Sequence, residues 1–73
     1  MDLVDLMGRN MRRVRVAAGL SQEEVAFRAG MKRSYLSELE LGRRNPTVRA
    51  LARVSAALAV SPADLLKPDS RYK

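Results

Sequence analysis

Residues that stop and start helices punctuate this chain at short intervals, and that spacing restricts it to a bundle of short helices. Gly19 is followed by Ser21, Gly30 by a new helical stretch, Gly42 by Thr47, and Val60 by Ser61-Pro62. Glycine after a helix supplies the left-handed conformation that ends it, while Ser or Thr before the next one caps its free N–H groups. Between these marks the apolar residues recur at steps of three and four. Leu3, Met7, Met11, Val14 and Ala18 share one face, Val25, Ala26 and Ala29 a second, Leu36 and Leu39 a third, and Leu51, Val54 and Leu58 a fourth. Ser21 with Glu24 forms a capping box, Leu20 packs inward, and Pro62 suits the first position of a last short helix through Leu66. The expectation is all-α with five helices: residues 1–67 form one domain and residues 68–73 a disordered tail.

Seventy-three residues hold one modest core and leave no room for a cleft between domains. Only three aromatics, set against abundant Ala, Leu and Val, favour helix over sheet. With no cysteine and no histidine, disulfides, thiolate metal sites and the usual general base are excluded, and neither metal nor cofactor is expected. No apolar run approaches the roughly 20 residues of a membrane span. The start MDLVDLM is acidic and unlike a signal peptide, so the cytoplasm is the expected location. A net charge of +6, mostly from arginine, points to a polyanionic partner.

The third helical stretch carries its charges backwards. Lys32 and Arg33 stand at its start, and Glu38 and Glu40 near its end, against the preference of the peptide dipoles. Lys32, at the cap position, has no side-chain oxygen to offer, a loss of about 1 kcal/mol relative to Ser or Asp. Two short helices joined by a glycine turn, the second cationic at its start, is the pattern of a helix-turn-helix. Inserted into a major groove, that end meets phosphates and base edges, and its free N–H groups become donors to them.

The strings GLSQEEVAFRAG, KRSYLSELELGRRNPT and VRALARVSAALAVSPADLL, in order from about Met7 to Leu66, resemble the phage-repressor-like (XRE-type) helix-turn-helix family. Within it, RSYLSELE followed by GRRNPT looks most like the controller proteins of restriction-modification systems, although those usually carry an acidic cap where this chain has Lys32. The resemblance implies a lambda-repressor-like domain that binds double-stranded DNA as a transcriptional regulator, a homodimer on a two-fold operator. It implies base reading by Arg33, Ser34 and Glu38, with Lys32 making base or mixed contacts. Gln22, Tyr35, Arg43, Arg44, Asn45 and the backbone at Thr47 would bind phosphates. It further implies an ion pair between Arg15 and Glu40.

Side-chain chemistry grades these roles. Arg33 can donate two bonds to guanine, worth roughly 1–3 kcal/mol of discrimination, whereas Ser34 can serve almost any base. A solvated charge or a phosphate contact is the plainer alternative for Arg33. Tyr35 suits either the DNA face or the core. Glu38 either accepts from a cytosine amino group or keeps Arg33 oriented through an intrahelical pair, the second being favoured because a carboxylate among phosphates is costly. Arg9, Arg12 and Arg13 lie off the apolar stripe, where they add phosphate attraction or form a solvated face. Val60, Pro62, Leu65 and Leu66, aided by Leu3 and Val4, offer the most available dimer surface. The rival reading is an antitoxin-like or scaffold module whose main partner is a protein. An enzyme is not expected, because no pair of Ser, Asp or Glu has catalytic spacing.

Overall fold

The computed structural model describes residues 2–68 and holds four α-helices followed by one 3-10 helix. They are α1 (Leu3–Ala17), α2 (Gln22–Ala29), α3 (Arg33–Glu40), α4 (Val48–Ala57) and the 3-10 helix (Pro62–Leu66). Most of the tail expected to be disordered lies outside the described residues. Each boundary has a local cause. Asp2 caps α1 by accepting from the Val4 N–H at 2.7 Å. Ser21 and Glu24 form a reciprocal capping box on α2, and Thr47 accepts from the Ala50 N–H on α4.

The expected fifth helix is a 3-10 helix instead. Ser61 and Asp64 close a capping box over its first turn, with Pro62 just inside. Pro68 follows Lys67, and the residue before a proline is driven out of the helical region. Lys67 is accordingly extended, with φ −90° and ψ 141°, and the segment stops after five residues.

α1 packs against α3 and the 3-10 helix, α2 against α3 and α4, and α4 against the 3-10 helix. Met7, Met11, Val25, Ala26, Ala29, Leu36, Leu39, Val54, Leu58 and Leu65 form the core, with Val14, Leu20, Leu51 and Tyr35 packed around it. Each fully buried Leu contributes roughly 1.5–3 kcal/mol through removal of its apolar surface from water. The ends of the expected α1 stripe are displaced: Leu3 is 58% exposed and Ala18 is the exposed cap residue beyond the helix.

Two residues of α1 that apolar periodicity passes over are central to the packing. Gly8 is buried where α1 crosses the end of α3, and a Cβ there would run into the backbone oxygens of Leu39 and Glu40. Asn10, wholly buried, donates through its amide nitrogen to the carbonyls of Leu65 at 2.9 Å and Lys67 at 2.8 Å. One polar side chain thereby anchors the 3-10 helix to α1.

Candidate nucleic-acid interface

The turn between α2 and α3 sets the angle of the candidate reading helix. Gly30 ends α2 in the left-handed conformation at φ 69°, and Met31 donates back to the Ala26 carbonyl at 3.0 Å, closing the last turn. Met31 packs against the core, which leaves Lys32 as the cap of α3. Its side chain makes no capping hydrogen bond, and the first turn of α3 carries no acidic residue. Lys32, Arg33 and Ser34 are all exposed there. The start of α3 thus presents cations to solvent with no side chain capping its first turn, an arrangement matched to an anion.

The exposed side of α3 continues into its neighbours. Arg33 lines one open depression with Arg15, Ser21, Gln22 and Glu23. Gln22 also lines a second, with Arg9, Arg12, Ser37, Glu40 and Leu41. Arg9 and Arg12 of α1 therefore border the same surface as the start of α2 and the middle of α3. Arg13 has a different setting, since its Nη2 donates to the Asn10 side-chain oxygen at 3.3 Å.

Beneath this surface lies a polar cluster. Arg15 Nε donates to Glu40 Oε2 at 2.7 Å and Arg15 Nη2 to Glu40 Oε1 at 3.0 Å, while Arg15 Nη1 reaches the Leu20 carbonyl at 3.0 Å. The Arg15 and Glu40 side chains are only 12% and 3% exposed, so the pair is largely shielded from water. Donation to the Glu40 carboxylate raises the Arg15 pKa above its ordinary value, against the opposing effect of burial. Gln22 Nε2 donates to Glu40 Oε1 at 3.0 Å, so the residue expected at a phosphate is also tied to this carboxylate. Glu40 joins the end of α1, the start of α2 and the end of α3.

Beyond α3 the chain reverses through Gly42, at φ 72°, and the Arg43 N–H donates to the Glu38 carbonyl at 3.0 Å. Arg43, Arg44 and Asn45 are exposed on the loop that follows, and the Thr47 hydroxyl is occupied in capping α4. Glu38 does not pair with Arg33 as expected. Five positions apart, the two point to different sides of the helix, because only steps of three and four bring side chains together. Arg44 takes the carboxylate instead, with Nη2 at 3.0 Å and Nε at 3.2 Å from Glu38 Oε1. Its guanidinium carbon lies 5.2 Å from the centre of the Tyr35 ring. Tyr35 is half-buried against the core and offers a ring face to Arg44.

The four residues expected at a dimer surface are not equivalent. Leu65 is 0% exposed and belongs to the core, which withdraws it from any interface; Val60 and Leu66 are half-buried against the core, and Pro62 is exposed. Among the described residues, no group of three or more His, Cys, Asp or Glu could hold a metal ion, and no helix is long and apolar enough to cross a membrane.

Comparison with known proteins accords with this geometry. Residues 11–65 match the helix-turn-helix family. The chain is 50% identical over 68 residues to the uncharacterized HTH-type transcriptional regulator y4dJ of Sinorhizobium fredii, covering 93% of this chain and 88% of that protein. It is 39% identical over 62 residues to the control protein C.BamHI of Bacillus amyloliquefaciens, covering 84% and 76% respectively. The crystal structure of the restriction-modification controller protein C.AhdI from Aeromonas hydrophila superposes with a TM-score of 0.83 at 37% identity, over 85% of this chain and 94% of that one. With the capped α2, the glycine turn, the cationic α3 and these relatives in agreement, the chain belongs to the XRE-type helix-turn-helix family.

Proposed function

We propose that this protein is a sequence-specific, double-stranded-DNA-binding transcriptional regulator that acts in the cytoplasm as a homodimer on a two-fold operator, with α3 in the major groove. The observation that carries the proposal is the start of α3: an uncapped helix end with Lys32, Arg33 and Ser34 exposed, costly to the free protein and suited to phosphates and bases. Arg33 is assigned to base recognition, with Ser34 and Glu38 beside it. Gln22 keeps a second amide N–H with which to reach a phosphate while bonded to Glu40. Arg43, Arg44 and Asn45 supply the grip on the far side of the groove.

One helix reads few base pairs, and dimerisation doubles the site; helix-turn-helix dimers place half-sites about 34 Å apart, one turn of DNA. Pro62, with the outer edges of Val60 and Leu66, is assigned to that contact. Residues 1–67 form the DNA-binding domain, and the controller proteins among the relatives support a regulatory role.

Selection of bound fragments from random duplex DNA tests the reading. Recovery of a common motif in two inverted halves supports it. Recovery of random sequence, with no retention above a protein-free control, overturns it in favour of a protein-interaction module.

A further inference from the structure

Two groups assigned to DNA are joined to each other in the free protein. Glu38, on the exposed side of α3, and Arg44, on the following loop, form an ion pair at 3.0 Å with side chains 43% and 51% exposed. The fold builds this contact. Gly42 reverses the chain, the Arg43 N–H is bonded to the Glu38 carbonyl, and the Tyr35 ring lies under the Arg44 guanidinium. Arg44 thus rests against the helix in a defined place.

We infer that Glu38 is a specificity-determining residue that makes the phosphate grip of Arg44 conditional on the base presented to Glu38. This rests on the DNA-binding reading above. For Arg44 to engage a phosphate fully it must leave Glu38, and the freed carboxylate would then stand among DNA phosphates without a cation. Desolvating an unpaired carboxylate in that setting is unfavourable. A cytosine amino group in the major groove is the donor that offsets this, because a carboxylate accepts from cytosine N4. Where cytosine faces Glu38, the exchange is complete: Glu38 turns to the base and Arg44 to the backbone. Where the base presents only acceptors, Glu38 retains Arg44, and the complex loses a phosphate contact. A nominally sequence-independent contact becomes sequence-dependent.

The latch differs from mere removal of a negative charge in being coupled to Arg44. The test measures affinity by fluorescence anisotropy for a selected duplex and an unrelated one across a salt series, with wild type, Glu38→Ala, Arg44→Ala and the double variant. Glu38→Ala is expected to tighten binding to the unrelated duplex about two- to fivefold, the range of an exposed pair, and to lower discrimination between the duplexes. On the unrelated duplex, Arg44→Ala is expected to leave the slope of log affinity against log salt nearly unchanged while Glu38 is present, and to lower it by about one unit in the Glu38→Ala background. An equal fall in slope in both backgrounds overturns the latch and leaves the DNA-binding reading standing. A wild type that binds neither duplex overturns both. The Arg44 Nε–H resonance of the free protein gives an independent reading: Glu38→Ala should shift it and speed its exchange with water, and an unchanged resonance counts against the latch.

Discussion

Gly8 and Leu39 meet backbone to backbone: α1 passes so close to the end of α3 that a Cβ at Gly8 would enter the space of the Leu39 carbonyl oxygen. Neither chain path can give way cheaply, since Leu39 and the adjacent Met7 are both buried in the core. Gly8→Ala should therefore destabilise the protein by about 1–3 kcal/mol, although Ala is the better helix former by about 1 kcal/mol in an open site. Urea unfolding measures this. A stabilised variant would show that the two helices are free to separate.

Lys32 sets stability against binding. Replacing it with Asp supplies an oxygen to the free N–H groups of α3 and an anion at the positive end of its dipole. The expected gain is about 1 kcal/mol of folding stability. The same change places a carboxylate among DNA phosphates and should weaken binding to every duplex. Thermal unfolding and titration of one preparation test both signs together, and improved binding would remove Lys32 from the interface.

The Arg15–Glu40 pair is shielded and bidentate, so truncating one partner leaves the other charge stranded. Glu40→Ala should cost about 3–5 kcal/mol, near the upper end for single substitutions. Gln22 loses its anchor in the same variant, and DNA affinity at temperatures where the protein stays folded should fall as well. Destabilisation with unchanged affinity would separate the structural role of Glu40 from any role in placing Gln22.

Arg33 and Arg44 should differ in kind. Arg44→Ala should reduce the slope of log affinity against log salt on the selected duplex by about one unit, because one phosphate contact is lost. Arg33→Ala should flatten preference at one or two base positions while preserving most binding to unrelated DNA. Equal losses on all sequences would place Arg33 on the backbone.

What the sequence displayed best was chemistry that acts within a turn. Ser21, Thr47 and Ser61 cap the helices that follow them, and Gly30 and Gly42 turn left-handed where a stop was needed. The core faces of α2 and α3 follow from spacing alone. Gly8 and Asn10 did not stand out, because their value depends on partners more than 30 and 50 positions away that no periodicity identifies. Asn10 was hidden for a second reason: a buried amide reads as a polar interruption until the carbonyls it serves are in view. The Glu38–Arg44 pair crosses a loop whose path depends on Gly42 and on the bond from Arg43 to Glu38, whereas the expected Glu38–Arg33 pair asked for contact across five helical positions. The length of the last helix turned on Pro68, just past its end.

On the eight residues of α3, two tasks are interleaved with little overlap. Leu36, Leu39 and Glu40 are buried and hold the helix in place, while Arg33 and Ser34 are exposed and Glu38 is half-exposed. Substitutions on the outer side can change the sequence being addressed while the inner side preserves the scaffold. On the proposed reading such a helix is an exchangeable cassette, whose target can change through a few outer residues without a new core.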